Sequence, residues 1–248
     1  MSYGETDRLQ ITMLADLHIH SCLSPCASLK MSPRLIASTA AAKGIQLVAL
    51  TDHNSARNTP AFADACRIAG IYPLFGMEIT TVEECHVLAI FDNLENAAKM
   101  EGWVAASQSH KPLDLNVFGD QPVVDVDENI VEMVDYYLGA ATAHSIESVQ
   151  QRTHQLGGLF IPSHINRAVF SVESQLGFLP PGDYDAIEVQ PRVLEQYRRR
   201  YPQLPVITAS DAHHPDQIGA NPIDLPLTPP VNIDRLRSAL ADLSADYP

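Results

Sequence analysis

Ile11-Thr12-Met13-Leu14-Ala15-Asp16-Leu17-His18-Ile19-His20 decides how the rest of the chain is read. The run from Ile11 to Leu17 is mostly apolar and ends in a polar cluster, Asp16, His18 and His20. That pattern is a buried strand emerging into a loop, Ser21 to Met31. Ser32-Pro33 next opens a segment with Leu35, Ile36, Thr39 and Ala40 on it, closed by Lys43-Gly44. Serine as N-cap, proline in the first turn and glycine at the stop define a helix. Ile45 to Leu50 is a second apolar strand, ending at Thr51-Asp52-His53, and Thr59-Pro60 to Ala69-Gly70 repeats the capped helix.

The unit continues. Ile71 to Phe75 leads to Gly76-Met77-Glu78, a third strand ending in a carboxylate. Cys85 to Phe91 is a fourth with His86 near its start, and helix Glu95 to Ala106 follows. From Ser107 to Val126 no period is sustained, so we expect an excursion or lid, around 107–145, on a single domain spanning 1–248. Glu128 to Tyr137 and Ile146 to Leu156 read as helices, and Leu159 to Pro162 as a strand running into Ser163-His164. Ala186 to Val189 is a short strand carrying Glu188, Val193 to Arg200 a basic helix, and Val206 to Ala209 a strand ending in Ser210-Asp211-Ala212-His213. Ile233 to Leu243 is the final helix. About seven strands alternating with capped helices predict an α/β fold with a parallel sheet closed as a TIM-like (β/α)7 barrel. An open doubly wound sheet is the alternative, and no glycine-rich phosphate loop follows any strand.

Composition sets outer limits. The chain has 248 residues with 16 Lys and Arg against 30 Asp and Glu, a net charge of −14, which argues against duplex nucleic acid as a partner. No apolar stretch approaches the roughly 20 residues of a membrane span and no leader precedes Leu14, so the expected location is the cytoplasm. Four cysteines, Cys22, Cys26, Cys66 and Cys85, are too few for a disulfide framework and are expected to be reduced.

In parallel α/β folds, the C-terminal strand edge gathers the functional side chains. His18 and His20 lie there, with Asp52 and His53, Glu78, His164, and Asp211 and His213. Imidazole and carboxylate are the usual ligands of Zn, Mn and Fe, and two histidines at i and i+2 of an extended chain point to one side. Eight such side chains exceed the needs of one tetrahedral ion, so two or three ions are expected, with Glu78 and Asp211 as bridges.

Asp16-Leu17-His18-Ile19-His20-Ser21, Thr51-Asp52-His53, Gly76-Met77-Glu78, Ser163-His164 and Ser210-Asp211-Ala212-His213, taken in order, resemble the polymerase and histidinol phosphatase (PHP) family over about residues 14 to 220. The resemblance implies a distorted seven-stranded α/β barrel with a trinuclear Zn, Mn or Fe centre that hydrolyses phosphate esters. By position His18, His20, Glu78 and Asp211 would hold one ion, Glu78, His86 and His164 a second, and His53 and His213 belong to a third. Family members carry an acid or histidine where this chain has Pro25-Cys26, so a Cys26 thiolate is the candidate replacement ligand.

The function expected is a phosphoesterase acting on a small phosphorylated metabolite, nucleotide or short oligonucleotide, with in-line attack by a metal-bridging hydroxide. His53 or His213, if unligated, is the candidate acid for the leaving oxygen. Arg167, three residues past His164, is placed to fork onto phosphate. Asp16 and Asp52 are expected to orient imidazoles, and Glu188 to support the site or the fold. His110, His144, His154 and His214 are expected outside the centre, and the basic run at Arg192 and Arg198 to Arg200 on a solvated helix face. Two competing readings are an amidohydrolase-type metal hydrolase and a non-catalytic, metal-stabilised binding module.

Overall fold

Only five residues, Thr81 to Cys85, separate the third and fourth strands, too few for a crossover, and that connection shapes the sheet. The computed structural model describes residues 12–109, 112 and 114–245. Ile11 and His110 lie outside the described residues.

In chain order the elements are β1 (Met13–Ile19), α1 (Pro33–Ala42), β2 (Leu47–Leu50), α2 (Thr59–Ala69), β3 (Tyr72–Thr80), β4 (His86–Phe91), α3 (Leu94–Ala105), α4 (Leu115–Phe118), β5 (Pro122–Val124) and β6 (Ile130–Met133). They continue with α5 (Ile146–Gln155), β7 (Leu159–Pro162), α6 (Val172–Leu176), β8 (Ile187–Glu188), α7 (Leu194–Arg200), β9 (Val206–Ile207), β10 (Ile223–Leu225) and α8 (Ile233–Ala245). Ser32 caps α1 by accepting the Leu35 N–H at 3.1 Å, and Gly70 stops α2 in the left-handed conformation, as the sequence predicts.

The main sheet runs β10-β1-β2-β3-β4-β7, with β8 and β9 paired separately, and curls as a half-barrel of the distorted TIM-like kind. It is mixed rather than wholly parallel. β1, β2 and β3 are parallel, whereas β4 is antiparallel to both β3 and β7, because its short connection can only reverse the chain. The reversal places His86, first in β4, opposite Thr80 at the end of β3, so an N-terminal strand residue reaches the edge where other strands end. Gly76 makes this pairing possible: a Cβ there would lie 2.3 Å from the Ala89 carbonyl oxygen.

Side chains alternate across the sheet. On β4, Val87, Ala89 and Phe91 join the core under α1, α2, α3 and α5, while Leu88 and Ile90 pack with Leu236, Ala239 and Leu240 of α8. Burial on both faces explains the near-continuous apolar runs in the sequence. The segment Glu128 to Tyr137 is not helical: Ile130–Met133 is β6, paired antiparallel with β5. All four of its residues are exposed, and it is the pairing with β5, bulged between Val123 and Val124, that overrides the helix reading.

Candidate metal centre

β1 brings His18 and His20 to one face at its C-terminal end, both fully buried. A parallel bridge sets His53 beside Glu78, and a second aligns Ile19 with Ala212. The His20 N–H donates to the Ala212 carbonyl at 3.0 Å, which seats the segment carrying Asp211 and His213 against β1. His164 follows β7. Asp211 and His164 have positive φ, 48° and 29°, a conformation non-glycine residues adopt at a cost and that here aims both side chains inward.

Glu78 is the hub. Its Oε1 lies 3.4 Å from His18 Nε2, 3.2 Å from His86 Nδ1 and 3.0 Å from His164 Nε2; its Oε2 lies 3.4 Å from His20 Nε2 and 3.3 Å from His53 Nδ1. Asp211 Oδ1 is 3.5 Å from His18 Nε2 and 3.4 Å from His20 Nε2. Three groups can each converge on an ion: His18, His20 and Asp211; His53, Glu78 and His86; and His20, His53 and His213.

The outer nitrogens are already committed. His18 Nδ1–H donates to Glu188 Oε2 at 2.8 Å. His20 Nδ1–H donates to Ser24 Oγ at 3.0 Å, and Ser24 donates to Asp52 Oδ1 at 2.7 Å. His213 Nδ1–H donates to the Asp211 carbonyl at 2.7 Å. These bonds leave the Nε2 lone pairs of His18 and His20 facing each other at 3.0 Å. Two lone pairs so placed repel unless a cation or proton lies between, and tetrahedral ligands at 2.0–2.1 Å from an ion stand about 3.3 Å apart. Buried His53 Nδ1, His86 Nδ1, His164 Nδ1 and Asp211 Oδ1 also lack hydrogen-bond partners. The residues fit divalent metal, and the nitrogen and oxygen donors suit Zn, Mn or Fe.

Electrostatics agree with a site built around charge. Burial opposes ionisation of Glu78, yet the imidazoles of His86 and His18 hold it well below the usual carboxylate range. Asp211 is lowered too, against burial, by His18 and His20. Burial works against a charged His18, but Glu188, Glu78 and Asp211 raise it well above its ordinary value. Burial and then His20 push His213 down to about 4.

Other expected residues take different places. Asp52 reaches His20 only through Ser24, while also accepting the Ser21 N–H at 2.7 Å. Asp16 contacts no imidazole; it accepts the N–H groups of Ser210 at 3.1 Å and Gly219 at 3.0 Å, fixing the loop that holds Asp211. Arg167 donates from Nη1 to Asp211 Oδ2 at 2.9 Å and lines the cavity of about 250 Å³ above the cluster. Cys26 also lines that cavity, but contributes to none of the three ligand groups. Cys26 is exposed to solvent, and desolvation on its cavity side and then the charges of Glu78 and Asp211 raise its thiol. His144 stacks on Trp103, and His154 meets Asp185 Oδ2 at 2.9 Å, both away from the centre as expected. Sequence reasoning missed Ser24, Asn54 and Phe170. Asn54, at φ 49°, donates to the carbonyls of Leu138 and Ala140 and accepts the Thr80 N–H, tying the excursion to the site. Its place directly after Thr51-Asp52-His53 was the available signal.

A family model described as the PHP domain matches residues 16–173, well over half of the chain. The chain belongs to the PHP domain family. It is a member of a family of metal-dependent hydrolases, in line with the clusters above. Over 69 residues it is 42% identical to the DNA polymerase III PolC-type of Streptococcus suis, 28% of this chain but 5% of that protein. An uncharacterized protein of Methanocaldococcus jannaschii is 30% identical over 145 residues, 50% of this chain and 83% of the relative. Among solved structures, the lesion-specific endonuclease Q of Pyrococcus furiosus superposes with TM-score 0.69 at 18% identity, over 94% of this chain and 56% of the other. Endonuclease Q in complex with a 27-mer duplex carrying an abasic lesion at the active site gives TM-score 0.70 at 17% identity, over 94% and 57%. The PHP chain therefore spans little more than half of endonuclease Q and a small part of the polymerase.

The duplex complex overturns the exclusion of duplex nucleic acid drawn from net charge. Net charge sums the whole surface, whereas a polyanion approaching a metal centre meets the local field of the ions. Among the described residues no helix is long and apolar enough to cross a membrane.

Proposed function

We propose that this PHP chain is a metal-dependent phosphoesterase acting on a small phosphorylated metabolite, a nucleotide or a nucleic-acid phosphodiester. The observation that carries the reading is the single carboxylate of Glu78 facing five imidazole nitrogens within 3.4 Å, with the Arg167 guanidinium beside it on Asp211. Two or three divalent ions, Zn, Mn or Fe, are assigned to the three ligand groups; when bound they neutralise phosphate oxygens and lower the pKa of water. Glu78 and Asp211 would supply the carboxylate ligands among the residues that hold them.

The protein's own groups do the rest. Glu188 and the Ser24–Asp52 pair fix the ring orientation of His18 and His20. Arg167, half exposed on the cavity, swings from Asp211 to fork onto a non-bridging phosphate oxygen pair. Burial and His20 keep His213 neutral at pH 7, which suits a ligand better than an acid. His53 is likewise held well below its ordinary value by burial and His20. Cys26 at the cavity wall remains the candidate for an additional ligand.

Metal content on protein purified without chelator, run beside a phosphate-release screen over sugar phosphates, mononucleotides, single strands and abasic duplexes, tests the reading. Two or three ions with release from one class is the expected result. Metal with no release from any phosphoester favours the amidohydrolase or binding-module alternative.

A further inference from the structure

Phe170 is a bulky residue at φ 53°, in the left-handed region, on the segment that links His164 and Arg167 to α6. Phenylalanine adopts this conformation only where its surroundings impose it. Here they do so from both sides. The Phe170 carbonyl accepts the His86 N–H at 2.9 Å, and next to it Ser171 donates to the Arg167 carbonyl at 2.6 Å while capping α6. The result holds the Phe170 ring parallel to the His86 imidazole, at 5.0 Å and 8°, with 43% of the residue exposed. Val169 beside it is 55% exposed.

Both residues line the same 250 Å³ cavity as His53, Glu78, His86, Arg167, Asp211 and His213, and so does Tyr137, whose ring is braced by Phe118 at 4.0 Å. A single exposed phenylalanine means little. One that is strained, stacked on a ligand-type histidine and placed within the cavity of a buried polar cluster presents an apolar face where a phosphorylated substrate must pass.

We propose that Phe170 is a specificity-determining residue: its open face stacks on a flat, unsaturated group of the phosphoester, while Arg167 and the ligand cluster hold the phosphate. This rests on the phosphoesterase reading and narrows it to substrates with an aromatic or heteroaromatic ring close to the phosphate. Sugar and polyol phosphates lack the stacking partner and bind less well. Stacking of one base on an aromatic side chain corresponds to on the order of a ten- to hundredfold gain in affinity.

The test compares adenosine 5′-monophosphate, 4-nitrophenyl phosphate and ribose 5-phosphate on metal-loaded wild type, Phe170→Leu and Phe170→Trp. Leucine still shields His86 but offers no π-face, and tryptophan keeps one. The wild type is expected to show a KM for adenosine monophosphate ten- to hundredfold below that for ribose 5-phosphate. Phe170→Leu collapses that ratio towards one, and Phe170→Trp retains it. Nitrophenyl phosphate following the nucleotide identifies any arene as sufficient; following the ribose ester, it identifies the nucleobase. Equal wild-type KM values, or a Phe170→Leu change that raises all three alike, overturns the proposal. If no ester is hydrolysed, the phosphoesterase reading fails, and the ratio of equilibrium dissociation constants for the same two ligands on the same variants decides the stacking claim by itself.

Discussion

His18 shows how one side chain serves two partners. Its Nδ1 proton goes to Glu188 and its Nε2 lone pair to the space shared with His20 and Asp211. A Glu188→Gln side chain keeps the shape and loses the charge that fixes the tautomer and raises ligand basicity. Outer partners of this kind typically contribute ten- to hundredfold in metal affinity. Competition with a chelating dye should show a loss of about that size in Glu188→Gln, and an unchanged affinity would remove Glu188 from the site's support. Asp16 belongs to a different class although it adjoins the same histidine. It holds the loop of Ser210 and Gly219, so Asp16→Asn should act on thermal stability first and on metal affinity only through Asp211.

At the scale of elements, the reversal between β3 and β4 is what delivers His86 to the cluster. Gly76→Ala drives a methyl group into the Ala89 carbonyl, and neither backbone can give way without separating β3 from β4. Overpacking of this sort costs roughly 1–3 kcal/mol. At about 2–4 °C per kcal/mol for a chain this size, a melting scan should register it clearly. The β5–β6 hairpin is held by Arg57, which donates to Glu101 at 3.0 Å, to Glu132 at 2.6 Å and to the Tyr136 hydroxyl at 3.2 Å. The residue is partly exposed, so solvent screens these contacts and Arg57→Ala is expected to cost about 1 kcal/mol. Hydrogen exchange should then quicken across 122–137 and leave β1 to β4 unchanged. Slowing or no change there would show that the hairpin is held by its apolar contacts with Leu23, Val123 and Val134 instead.

For the whole molecule, a cluster of buried imidazoles and carboxylates is a burden to the metal-free fold, since His53 Nδ1, His86 Nδ1, His164 Nδ1 and Asp211 Oδ1 are left without hydrogen-bond partners. Ions that bind only the folded state relieve it. One site at a hundredfold excess over its dissociation constant adds about 2.7 kcal/mol. Removing the ions with chelator should lower the melting temperature by roughly 5–11 °C per site, from the same 2–4 °C per kcal/mol, and Mn or Zn should restore it. A melting curve indifferent to chelator and metal would argue that protons, not ions, occupy the cluster.

The strand runs, the helix caps and the imidazoles and carboxylates at strand ends were legible in the sequence because each is local. Apolar runs that stop at His18, Asp52 or Asp211, and caps such as Ser32 and Gly70, declare themselves within a few residues. Helix Glu128 to Tyr137 misled because a ten-residue window of mixed polarity fits two periods, and only pairing with β5 selects the strand. Net charge misled about duplex nucleic acid because it carries no position. The antiparallel turn of β4, the Ser24 relay from Asp52 to His20 and the strained seat of Phe170 are contacts between distant segments. The sequence by itself determined which residues stand at the strand ends. The tertiary structure alone decided which of their atoms face one another, because the curl of the sheet sets those distances.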